Sequence, residues 1–184
     1  MLRLMILAAL FLPIPPLAAF AEPMKFNYSG NGGNCDDCEF LVAKGDITPS
    51  TVDEFRALDV RNLQVMLDSK GGNLLGAIAL GNEFRRRNIR VTVGDTSPRT
   101  DGSGMEEIAG TCESACVYAF FGGSRREVRP GSKIGIHALA APSNITGLDP
   151  VYTEAEITNV QIQVGVVLEF TQRMGVDPIV VQWA

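Results

Sequence analysis

Apolar positions along this chain fall into short blocks whose spacing switches between strand-like runs and helix-like faces. Phe40-Leu41-Val42-Ala43 is a continuous apolar run closed by Gly45-Asp46, which predicts a buried strand. Thr48-Pro49 then opens a helical pattern with Val52, Phe55 and Leu58 on one face. Leu63-Gln64-Val65-Met66-Leu67 predicts a second strand, and it runs straight into Asp68-Ser69-Lys70-Gly71-Gly72-Asn73. The helix expected over 74–87 turns Leu75, Ile78, Ala79 and Phe84 inward, and Ile89-Arg90-Val91-Thr92-Val93 follows as a β-branched strand ending at Gly94.

The second half is less regular. Residues 96–110 hold Pro98, three glycines and several charges, which predicts an exposed insertion loop. A short helix is expected from Ser114 to Phe121, ended by Gly122-Gly123. Arg126–Arg129 and Lys133–His137 read as two strands around a Pro130-Gly131 turn, which would bring His137 back towards Ser114 at the sheet edge. After a loop at 142–150 comes the longest helical pattern, 153–174, with Gly175 as its C-cap. Asp177-Pro178 then looks like the N-cap and first residue of another helix, and with that helix scarcely begun the domain is expected to be incomplete at its C-terminus.

Length and charge narrow the functional classes. The 184 residues suit one domain, and a net charge of −5 without a broad basic field argues against nucleic acid as partner. The one basic run, Arg85-Arg86-Arg87, reads as a solvated helix face. Residues 1–21 carry Arg3, an apolar middle and Ala19-Phe20-Ala21, the pattern of a secretory signal peptide. Pro13, Pro15 and Pro16 break that run, and no later stretch would span a bilayer, so the mature chain is expected to be exported, periplasmic or secreted. Residues 22–39 read as a flexible, cysteine-containing entry to a domain over 40–184.

Export changes the reading of the cysteines. Cys35, Cys38, Cys112 and Cys116 become disulfide candidates, with three pairings that sequence does not choose between. A four-cysteine zinc site and a redox-active Cys35–Cys38 pair are the less favoured readings, and no metal or cofactor is expected.

The candidate chemistry lies between Gly110 and Leu139. His137 is the only histidine in the chain, so acid–base chemistry through imidazole falls to it alone. A serine hydroxyl needs a neighbouring base to become a nucleophile, and Ser114 with His137 is the pair able to supply this. A helix start beside Ser114 would place bare N–H groups near a developing oxyanion, and the Gly71-Gly72 turn would bring others close to a ligand.

The order of these motifs, D-S-x-G-G, helix, strand, G-x-x-x-S-A, G-G-x-R and I-G-I-H-A, resembles the Clp-protease proteolytic-subunit family within the crotonase-like superfamily, and more specifically its exported members. The resemblance covers about residues 40–178. It implies an α/β fold, a Clp-protease/crotonase-like spiral of repeated ββα units, with the 153–174 helix in the place of the family's oligomerisation helix and hence a homo-oligomer. It further implies Ser114 as nucleophile, His137 as base, and the N–H groups of Gly71 and Ala115 as the oxyanion hole, with Gly72 supporting the turn. The function implied is an exported serine peptidase acting on peptides or loosely folded proteins. The alternative is a catalytically degenerate binding or scaffolding protein.

Three departures bear on the match. Lys70 stands where the family has proline before the glycine pair, two cysteines flank Ser114, and the third triad member would fall beyond Ala184. Asp177 is the nearest acidic substitute but is better explained as an N-cap, and Asp68 is better explained as fixing the loop that follows it.

Overall fold

The three apolar runs become neighbouring strands of one twisted sheet. The computed structural model describes residues 22–30, 39–138 and 152–182, so the predicted signal peptide, the loop at 142–150, Cys35 and Cys38 lie outside the described residues. The sheet has the order β1-β2-β3-β4-β8, formed by β1 (Lys25–Gly30), β2 (Glu39–Lys44), β3 (Gln64–Asp68), β4 (Arg90–Val93) and β8 (Arg125–Val128). β1 runs antiparallel to β2; the other pairs are parallel. Part of the expected flexible entry is therefore a strand, and Met24 just before it is fully buried.

Side-chain alternation explains why β2 and β3 read as unbroken apolar runs. Leu41, Ala43, Val65 and Leu67 face the main core, while Phe40, Val42 and Met66 form a second cluster on the opposite face. Both faces are covered. The main core also takes Phe55 from α1 (Thr51–Ala57) and Phe84 from α2 (Leu74–Arg86), whose rings meet edge-to-face at 5.0 Å. The other face carries a hairpin of β5 (Asp95–Pro98) and β6 (Met105–Ile108), formed where an irregular loop was expected.

Two other expectations for α2 are corrected. Leu75 is 62% exposed, and the inward face is built instead from Ala77, Ile78, Leu80 and Phe84 with two glycines. The arginine run is only partly solvated: Arg87 is 5% exposed, stacked over Phe55 at 5.2 Å and bonded to Glu83. Its long aliphatic stem lets it lie in the core while the charge meets a carboxylate.

β7 (Thr111–Glu113) and β9 (Lys133–Gly135) form a separate parallel pair, and α3 (Cys116–Phe121) follows β7. The two strands around Pro130-Gly131 thus belong to different sheets, β8 to the main one and β9 to the pair with β7. α4 (Glu154–Arg173) starts from a capping box of Thr153 and Glu156. It buries only its C-terminal half, where Val167, Phe170 and Thr171 meet the core. Asp177 accepts from the Ile179 N–H at 3.0 Å, as an N-cap does, ahead of α5 (Ile179–Gln182).

Candidate active site

The site is assembled by β7, which is held from both sides. On one side Ser69 N–H donates to Thr111 O at 2.7 Å and Glu113 N–H donates to Ser69 O at 3.1 Å. Asp68 Oδ1 accepts from Thr111 N–H at 2.8 Å. Asp68 therefore ties the end of β3 to the start of β7, a wider role than fixing its own loop. On the other side β9 pairs Cys112 with Ile134 and Glu113 with Gly135.

That register sets where the candidate nucleophile and base meet. Ser114 N–H donates to Gly135 O at 2.8 Å, so the chain reaches His137 two residues beyond the contact. His137 Nε2 lies 2.7 Å from Ser114 Oγ, and Nδ1 lies 2.9 Å from the Ala138 carbonyl oxygen. A carbonyl only accepts, so the Nδ1 contact requires the proton on Nδ1. In the neutral ring Nε2 is then the lone-pair nitrogen facing the serine hydroxyl. This is the tautomer a general base needs, fixed by a backbone group. Ser114 is half-buried and His137 is exposed, so the pair is open to solvent and to a ligand.

Ser114 has φ +55°, in the left-handed region that non-glycine residues rarely occupy. Helix α3 begins at Cys116, two residues later than the expected Ser114 start, and the serine stands on the sharp turn between β7 and that helix. Such a conformation costs roughly 1–2 kcal/mol and persists where the surroundings impose it. Two of those surroundings are visible. Cys112 and Cys116, both fully buried, are joined by a disulfide across the turn. Gly71, at φ +111°, presses against it: a Cβ there would sit 2.7 Å from Ser114 Cβ and 3.0 Å from Ala115 N.

The two predicted oxyanion donors differ. Ala115 N–H borders Gly71 and makes no hydrogen bond among the described residues. Gly71 N–H instead donates to Ser69 Oγ at 3.1 Å, within a loop where Ser69 is 4% exposed. Its availability to an oxyanion is reduced because a buried hydroxyl already accepts from it. Gly72 N–H makes no hydrogen bond among the described residues, so the second glycine presents the unengaged donor of the pair. Sequence had assigned Gly72 only a supporting place, and no local pattern distinguishes the two glycines.

A cavity of about 590 Å³ opens at the carboxyl ends of β2 and β3, lined by Lys44, Asp68, Ser69, Lys70 and Thr111 among others. Neither Ser114 nor His137 lines it. Lys44 there is paired with Asp95 and lies 3.5 Å from Asp68, contacts that raise its pKa. Among the described residues no group of three His, Cys, Asp or Glu side chains converges as metal ligands would.

No protein-family model matches the chain, and no curated protein matches it. Among solved structures it is similar to the 1510-N membrane-bound stomatin-specific protease, solved as a serine-to-alanine mutant, with a TM-score of 0.51 at 17% sequence identity. The match covers 76% of this chain, which spans 65% of that protein's length. The chain accordingly has a Clp-protease-like α/β fold with a mostly parallel sheet.

Proposed function

We propose that this protein is an exported serine hydrolase, of the peptidase type, in which His137 takes the proton from Ser114 Oγ as the hydroxyl attacks a carbonyl. The observation that carries this reading is the 2.7 Å contact between His137 Nε2 and Ser114 Oγ across separate strands. The protease-type fold supports it, as does the turn that lifts Ser114 from the end of β7. Ala115 N–H, with a glycine N–H from the 71–72 turn, would face the oxygen that gains charge. Peptides or loosely folded chains suit so open a site. The apolar leader at 1–21 is what supports export. The exposed N-terminal half of α4 is what supports a homo-oligomer.

Ala138 O does part of what a carboxylate does in a full triad. It fixes the tautomer, but a neutral carbonyl stabilises the imidazolium less than an anion would. In the chymotrypsin example, replacing the aspartate by asparagine lowers kcat about 10⁴-fold, through the wrong tautomer. Here Ala138 O holds the tautomer, so the part of that loss due to the wrong tautomer is not expected.

The test is covalent labelling with a fluorophosphonate, followed by peptide mapping. The wild-type protein should be labelled on Ser114 and the Ser114→Ala variant should not. Folded wild-type protein that stays unlabelled over hours would reject the hydrolase reading. The second reading, a binding or scaffolding protein on the same fold, draws on one observation: among the described residues, Nδ1 meets a carbonyl and no carboxylate.

A further inference from the structure

We propose that the Cys112–Cys116 disulfide is a positioning device for Ser114, so that the reactivity of the hydroxyl depends on the bridge remaining oxidised. This rests on the hydrolase reading above, because it concerns the same nucleophile. The bridge runs from the middle of β7 to the first residue of α3, with Cα atoms 5.3 Å apart. Only Glu113, Ser114 and Ala115 lie between. It therefore spans the chain reversal that holds Ser114 at φ +55°.

A bridge of sequence separation 4 closes a very short loop. Loop-closure stabilisation grows with the length of chain enclosed, so this bridge restrains little of the unfolded ensemble and much of one turn. Its two ends are fixed by different means. Cys112 is held in β7 between Ser69 and Ile134, whereas Cys116 is buried in the helix that packs on α2. The disulfide couples those two bodies at the point where the serine projects. Both cysteines are fully buried, so the sulfurs act through the backbone and not on the substrate.

Reduction would be a two-electron exchange. A dithiol reductant attacks one sulfur and then closes to its own disulfide, leaving Cys112 and Cys116 as two thiols and Ser114 chemically unchanged. What changes is the restraint on φ. A freed Ser114 relaxes from the left-handed region and carries Oγ away from His137 Nε2.

The experiment compares four forms of the full chain: oxidised wild type, wild type reduced with a dithiol, the same protein reoxidised, and the Cys112→Ala/Cys116→Ala variant. Each is followed by the rate of fluorophosphonate labelling at Ser114, by circular dichroism, and by the ¹⁵N resonances of the sole histidine. The bridge-less forms should keep the native dichroism and label roughly 10- to 100-fold more slowly, the scale for misplacing a reacting group by about 1 Å. Reoxidation should restore the rate, and the Nε2 resonance of the bridge-less forms should match that of Ser114→Ala. If the alanine pair does not fold, Cys112→Val/Cys116→Ala and the reduced wild type carry the same comparison. Equal labelling rates with and without the bridge would overturn the positioning role and leave the hydrolase reading intact. Oxidised wild type that never labels would instead remove the hydrolase reading, and the positioning claim would then be decided by the His137 resonance alone.

Discussion

At the scale of single residues the site depends on two positive-φ backbone conformations, one costly at Ser114 and one that glycine adopts freely at Gly71. Ser114 and Gly71 both have positive φ and lie against one another, so the turn of one is shaped by the absence of a side chain on the other. Gly71→Ala should therefore act on the nucleophile as much as on stability. Its Cβ would meet Ser114 Cβ and Glu113 O at under 3 Å while its own φ is disfavoured for any L side chain. We expect a loss of about 1–3 kcal/mol in denaturant unfolding together with loss of fluorophosphonate labelling. An alanine that unfolds normally and labels at the wild-type rate would contradict the geometry. His137→Gln should keep the fold, because the ring is exposed, and slow labelling by roughly 10³-fold or more through removal of the base.

At the scale of elements, α3 is placed by a backbone-to-backbone crossing with α2. A Cβ at Gly122 would stand 2.0 Å from Gly81 O and 2.3 Å from Gly81 Cα, so the helices touch where neither has a side chain. Phe170 of α4 packs against the same glycine, where a Cβ on Gly81 would stand 2.9 Å from Phe170 Cζ and 2.8 Å from Tyr118 O. Two arginines close the assembly: Arg85 and Arg126 each donate to Phe121 O, at 3.4 and 3.3 Å, and to Met174 O, at 3.1 and 3.3 Å. Those carbonyls end α3 and α4, where positive charge complements the helix dipole. Gly122→Ala must push α2 and α3 apart, and we expect a fall in melting temperature matching at least about 2 kcal/mol. Because α3 carries Cys116, the same variant should also slow labelling of Ser114. A melting curve unchanged from wild type would show that the crossing tolerates a methyl group.

At the scale of the whole molecule, the link between α1 and α2 makes stability depend on acid. Glu83 is buried and meets three guanidiniums, with Arg86 at 2.6 Å and Arg56 and Arg87 each at 3.2 Å. Its hydrogen bond with Arg86 first, and that with Arg56 next, hold its carboxyl below the ordinary value of 4.5. A carboxyl whose folded pKa is depressed adds stability that is complete above its unfolded pKa and is lost as pH falls through the folded one. Unfolding free energy should thus decline below about pH 4.5, and Glu83→Gln should flatten that part of the profile while lowering stability at neutral pH. Parallel profiles for the two proteins below pH 4.5 would exclude Glu83 as the source of the acid sensitivity.

The sequence by itself determined the elements whose side chains report their own burial. Apolar runs gave β2, β3 and β4, the 3.6-residue period gave α1, α2 and α4, and Asp177 before Pro178 marked an N-cap, because propensity and local hydrogen bonding are properties of neighbours in the chain. The motif order also singled out Ser114 and His137. Legibility failed where pairing is long-range. β1 and β7 lie in stretches with no apolar run, β5 and β6 mix polar residues with only two large aliphatic ones, Met105 and Ile108, and Leu75 has the right period but the wrong side of the helix. Only the tertiary structure decided that β9 pairs with β7 and not with β8, that Ser69 takes the Gly71 N–H, and that a carbonyl faces His137 Nδ1. Each of these depends on backbone groups, which are the same in every residue and so acquire a distinct role only when distant segments are brought within hydrogen-bonding distance.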